Sequence, residues 1–275
     1  MLGDTTGLGR GRNARTHWTE DIVLSIAPAT DIPVLAEATA RLLATVDAMS
    51  EQQLAEASLL PGWTRGHVLA HLARNADALV NLLTGARTGV PTPMYASPEA
   101  REQDIEAGAA RPLAEQAADL RASAARFDAA VAAMPDAAWS VEVPHRLGAF
   151  PAREVPAKRI GEVEYHHVDL GLPKAYAPAD WPRPFVEAEL VRLAEKFDGA
   201  PGLPFTVLFD TDTERVHETG APRTNRNPDF HVSGSSAQLL AWLSGRSDGG
   251  DLVVASFCFT LADPASNLPK LPPLG

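Results

Sequence analysis

Along the first part of the chain the apolar residues return with the period of an α-helix. From Asp31 to Met49, Ile32, Leu35, Ala38, Leu42, Leu43 and Val46 share one face, the pattern of a helix that buries one side. Asp31 stands where an N-cap is expected, with Pro33 inside the first turn. A polar connector begins at Ser50, with room for another helical turn, and leads to the turn signal Pro61-Gly62. Thr64 can cap a second helix running to about Thr84. At about 100° per residue, Val68, Leu72, Ala76, Leu79 and Leu83 form its stripe, with His71 on the border and His67 further out. Gly85 to Arg111 reads as irregular, with a helix start at Ser97; a stretch of this length is either a lid over a site or a plain crossover. Leu113, Leu120, Phe127 and Val131 mark a helix over Pro112 to Met134, and Trp139 to Phe150 reads as a short extended excursion. Pro151 to Leu170 is the fourth long helix, closed by Gly171 with Pro173 soon after. Four such helices predict a four-helix bundle.

The pattern then changes. Leu172 to Pro184 reads as a linker around Tyr176 and Trp181, and Phe185 to Phe197 as a helix. Phe205 to Phe209, Asp229 to Ser233 and Leu252 to Phe257 have the composition of strands, with a helix over Ala237 to Leu243 that stops near Gly245. The expected class is therefore α+β: a leader at 1–16, a helix bundle at 17–175, a small α+β domain at 185–262 and a proline-rich tail at 263–275.

Composition narrows the chemistry. A net charge of -11 argues against a nucleic-acid partner, which needs clustered Lys and Arg. The single cysteine, Cys258, reads as a small buried hydrophobe and excludes both a disulfide within the chain and a cysteine-built metal site. Any metal must be held by histidine and carboxylate. No apolar run is long enough for a bilayer, so a monomeric cytoplasmic protein with no membrane partner is the expectation. There is no nucleophile elbow, P-loop or dinucleotide fingerprint.

Two stretches carry candidate chemistry. Leu60-Pro61-Gly62-Trp63-Thr64-Arg65-Gly66-His67-Val68-Leu69-Ala70-His71 places two histidines at i and i+4. Arg159-Ile160-Gly161-Glu162-Val163-Glu164-Tyr165-His166-His167-Val168-Asp169 places Glu162 and His166 at the same spacing. One histidine from the first helix with this pair from the second would make a three-ligand metal site in a bundle. Periodicity alone leaves His166 or His167 open, because His167 lies closer to the stripe of Ile160, Val163 and Leu170. Arg246 follows a helix end and is either a charge near a helix C-terminus or a guanidinium fork for a carboxylate.

These stretches, together with Asn75, Thr92-Pro93-Met94-Tyr95, Ser97-Pro98-Glu99-Ala100-Arg101, Val232-Ser233-Gly234-Ser235 and Gly245-Arg246, resemble the mycothiol-dependent maleylpyruvate isomerase family, whose first domain is a DinB-like four-helix bundle. The resemblance runs from roughly residue 25 to 260, without a counterpart for Val216 to Asn227. It implies metal ligands at His71, Glu162 and His166, with zinc as the metal, and an arginine important for activity at Arg246. The implied reaction turns maleylpyruvate into fumarylpyruvate by reversible addition of the mycothiol thiolate; the alternatives are mycothiol transfer to another electrophile and a non-catalytic metal- or thiol-binding module. A dianionic substrate needs local cations on an acidic protein, and Arg246 and then Arg101 are the candidates to bind it.

Overall fold

The computed structural model describes residues 28–146, 148–221, 227–256 and 259–273. The leader and Cys258 lie outside the described residues. α1 (Pro28–Ala48) is already under way at Asp31, which sits in its first turn rather than capping it. An acidic group there still meets the positive end of the helix, and Pro33 so near the start costs little backbone hydrogen bonding. α2 (Glu51–Ala55) is the extra turn after Ser50, closed by a Ser50–Gln53 capping box. α3 (Arg65–Thr88) is capped by Thr64, as its hydroxyl predicts. α4 (Pro98–Ala109), capped by Ser97, takes up much of the stretch expected to be irregular. α5 (Leu113–Ala132) follows. The extended excursion is a small antiparallel pair, β1 (Glu142–Val143) with β2 (Phe150–Pro151). α6 (Val155–Asp169) ends at Gly171, whose φ of 67° only glycine adopts without strain.

α1, α6, α3 and α5 pack in a ring that closes back on α1, with α4 outside against α3. α3 is therefore buried well beyond the predicted stripe: Leu69, Ala73, Ala78 and Leu82 are inside as well. Arg65 locks the two helices that carry the candidate ligands. Its Nε donates to Leu170 O at 2.6 Å, and Nη1 donates to Gln53 O at 2.8 Å and to Glu56 at 2.7 Å. Leu59 N–H donates to Asp169 O at 2.9 Å. The carbonyls left over at the end of α6 thus find partners on the segment that opens α3.

The second unit holds α7 (Arg183–Phe197), β3 (Thr206–Asp210), β4 (Val216–Thr219), β5 (Phe230–Gly234), α8 (Ser236–Leu243), β6 (Val253–Ser256), β7 (Phe259–Thr260) and α9 (Pro264–Asn267), the last in the tail. The sheet order is β4-β3-β5-β6-β7, parallel only between β3 and β5. β4 escaped prediction because its Val-His-Glu-Thr sequence, at a sheet edge, lacks the apolar alternation of a half-buried strand. α7 and α8 pack on one another and against the strands. The linker is packed rather than loose. Trp181 Nε1 donates to Glu164 O at 3.1 Å, and Glu164 also accepts from the Tyr176 hydroxyl and, at 2.7 Å, from Arg41. Among the described residues no helix is long and apolar enough to cross a membrane.

Candidate metal centre

The capping of α3 decides which of its histidines is free for chemistry. His67 Nδ1 accepts the Thr64 N–H at 3.1 Å, and its Nε2 lies 3.3 Å from Glu106. One turn on, His71 is buried and turns inward. Its Nε2 is 3.0 Å from Glu162 Oε2 and 3.1 Å from His166 Nε2. His166 Nε2 is 3.4 Å from the same Glu162 oxygen. All three atoms lie within 4.8 Å of one another, two imidazole nitrogens and one carboxylate oxygen converging on a single point.

The surroundings tune each group. Burial lowers the His71 pKa and favours the neutral ring. Burial would push the Glu162 carboxyl up, but His166 and His71 outweigh it and hold it well below the usual carboxylate range. His166 Nδ1 faces Asp169 Oδ2 at 2.9 Å. Burial would likewise raise Asp169, yet the His166 hydrogen bond and the Arg246 charge hold it below its ordinary value. A carboxylate only accepts, so Nδ1 carries the proton, and in the neutral ring Nε2 keeps its lone pair. That is the arrangement in which metal-binding histidines are oriented. A donor set of two neutral imidazoles and a carboxylate, with no thiolate, fits zinc of the catalytic type.

His167 faces the other way. It stacks on Tyr176 with centroids 3.8 Å apart, and its Nε2 lies 2.8 Å from Thr45 Oγ1. Arg101 comes to the site from α4: its Nη2 is 3.3 Å from His71 Nδ1, and its guanidinium lies 5.8 Å from the Tyr95 ring centroid. Arg246 arrives behind His166 instead. Its Nη2 donates to Asp169 Oδ2 at 2.7 Å, its Nη1 donates to Ser244 O at 2.8 Å, and its guanidinium lies 4.4 Å from the Tyr165 ring centroid. Its buried Nε has no hydrogen-bond partner among the described residues.

Residues 35–171 match the model of the mycothiol maleylpyruvate isomerase N-terminal domain, and residues 180–257 match that of the C-terminal domain. The fold is similar to the crystal structure of the mycothiol-dependent maleylpyruvate isomerase, with a TM-score of 0.76 and 31% identity over 86% of this chain and 95% of that one. The chain belongs to the mycothiol-dependent maleylpyruvate isomerase family. A histidine-to-alanine variant of the same relative matches with a TM-score of 0.75, 31% identity and the same coverage. Against the curated proteins there is no match.

In this family member the reading of single residues missed three contributors. Asp169 is legible afterwards as a carboxylate three residues beyond His166, one turn along the same face. Arg65, given no role of its own in the stretch of residues 60–71, is a buried helix-to-helix clamp. Tyr95 had no local signal beyond its place in the lid-like stretch.

Proposed function

We propose that this chain converts maleylpyruvate to fumarylpyruvate, with mycothiol as the thiol cofactor and a zinc ion held by His71, Glu162 and His166. The observation that supports this reading best is the convergence of those three side chains beside Arg101, in a chain similar over 86% of its length to a protein described as a mycothiol-dependent maleylpyruvate isomerase. When bound, the ion would supply the positive charge that favours a thiolate over a thiol. Asp169 fixes the His166 tautomer and so keeps its Nε2 lone pair pointing at Glu162 and His71. Trp63, whose ring centroid is 5.6 Å from that of His71, and the partly buried Tyr95 put apolar surface around the site, which strengthens every charge interaction inside it. Arg101 supplies a guanidinium for a substrate carboxylate, and Arg246, behind His166, holds the Asp169 carboxylate in place. On a protein of net charge -11, such local cations are what lets a dianion enter. The test is the loss of maleylpyruvate absorbance with and without mycothiol, before and after zinc is stripped. No conversion by zinc-loaded protein with mycothiol present would remove this substrate from consideration.

A further inference from the structure

A further strong charge stands beside the site. Arg159 is only 2% exposed, and its Nη1 donates to Asn75 Oδ1 at 2.8 Å. The partner is neutral. Among the described residues, no carboxylate makes an ion pair with it. Its acidic neighbours act through space: Glu162, Asp77 and Asp128, with Tyr95 as a further titratable group. Two of those acids are engaged elsewhere, Glu162 by His71 and His166, and Asp77 by Arg126 at 2.8 Å and Arg74 at 3.3 Å. Burial lowers the Arg159 pKa to about 10, which leaves it charged at neutral pH. A buried cation with no carboxylate in contact is costly, and a well-packed apolar pair would join two helices at least as well.

The position of this charge explains why it is worth keeping. Arg159 lies three residues before Glu162 on α6, and Asn75 four residues beyond His71 on α3. Each is one turn along the same face from a candidate ligand, so the Arg159–Asn75 pair is the next rung between the same two helices. Tyr95, from the segment before α4, feels the charges of both Arg101 and Arg159. Arg101, whose guanidinium lies 5.8 Å from the Tyr95 ring centroid, comes from α4, and the charge of Arg159 reaches Tyr95 from α6.

We propose that Arg159 is a substrate-binding residue, the inner anion subsite that receives one carboxylate of a small dicarboxylate while Arg101 receives the other. This rests on the proposed reading that the substrate is a dianion. Asn75 holds the guanidinium by one nitrogen and orients the rest of the fork, and a planar fork matches a carboxylate as an ammonium does not.

Maleate, a cis-dicarboxylate, is the probe, titrated calorimetrically into zinc-loaded wild type, Arg159→Met and Arg159→Lys, with thermal melts and maleylpyruvate kinetics on each. Arg159→Met is expected to weaken maleate at least tenfold and to raise KM by a similar factor with a smaller change in kcat, while Tm stays at or above wild type. Arg159→Lys keeps the charge and a donor for Asn75, so it folds even where the methionine variant fails, and it is expected to weaken maleate several-fold. A fall in Tm with maleate affinity within twofold of wild type, in either folded variant, overturns the proposal in favour of a structural role; so does a wild type that does not bind maleate. Arg159-dependent maleate binding without maleylpyruvate turnover keeps the subsite and removes only the proposed substrate. Turnover with maleate affinity indifferent to Arg159 does the reverse.

Discussion

Adjacent side chains on α6 show how much is decided by single residues. His166 Nε2 joins His71 and Glu162, while His167 lies flat on Tyr176 and against Thr45. Apolar periodicity ranked His167 as the inner residue, and it is indeed buried. Periodicity reports burial, though, and a ligand sits at the edge of the apolar stripe where a polar cluster faces it. The i, i+4 spacing to Glu162 was the one local argument for His166, and the resemblance decided for it. Zinc content should accordingly fall sharply in His71→Ala, Glu162→Ala and His166→Ala and persist in His167→Gln; elemental analysis of the four variants checks it. His167 should show itself in acid instead. Burial lowers its pKa from 6.5 to about 4. Between those values the unfolded chain binds a proton that the folded chain does not, so stability falls as pH drops through this window. The shift corresponds to roughly 2–3 kcal/mol lost by pH 4. His167→Gln, which can still hydrogen-bond Thr45, should flatten urea-derived stability against pH over that range. An unchanged slope would place the acid sensitivity elsewhere.

Arg101 makes a second case at this scale. A guanidinium only donates, so His71 Nδ1 must be unprotonated where Arg101 lies against it. A histidine giving Nε2 to a metal carries its proton on Nδ1, and two donors then face each other. Arg101 and the metal therefore disfavour one another. Arg101→Met should bind zinc at least as tightly as wild type in a chelator competition while KM for the substrate rises tenfold or more. Weaker zinc binding in this variant would show that Arg101 supports the ligand rather than the substrate.

At the scale of elements, the bundle helices were legible because each repeats an apolar stripe, while α4 was only half legible. Its capping serine and Pro98 announce a start, but few of its residues are buried and no strong stripe follows. What places α4 is close packing. A Cβ at Gly108 would come within 2.7 Å of Ala70 Cβ, and one at Gly66 within 2.8 Å of Ala109 O. Two glycines thus let α4 lie tight on the first turns of α3, which brings Arg101 to His71. Gly108→Val should push the helices apart, at a cost of about 1–3 kcal/mol from overpacking. Because the three candidate ligands stand on α3 and α6, zinc content should hold while KM rises with the displaced Arg101. Thermal melts, zinc analysis and steady-state kinetics on one preparation separate these effects; loss of zinc together with stability would mean that α4 also holds the metal site in shape.

The whole molecule joins its two units through the end of α6. Tyr165 packs against Trp181 and Phe185, its hydroxyl donates to Glu189 at 2.7 Å, and Arg246 reaches across to Asp169. These contacts were not legible in the chain, because contacts between distant segments leave no local period; the helix end offered two readings of Arg246 and the resemblance gave it a role in activity, but neither could say what the residue touches. The contact alters the expected behaviour of Arg246 variants. With the guanidinium gone, Asp169 keeps its burial and loses its cation, so its pKa rises and its hold on His166 Nδ1 weakens. Partners that orient a ligand typically contribute about 10- to 100-fold in metal affinity. Arg246→Met should therefore weaken zinc by roughly tenfold as well as reduce kcat/KM. Asp169→Asn should do the same, and the two losses should not add, since one contact serves both. The measurement is zinc affinity by chelator competition for wild type, both single variants and the double variant. Unchanged zinc affinity in Arg246→Met with reduced kcat/KM would place the residue's work on the substrate through its free Nε, and leave the Asp169 contact as packing between the two units.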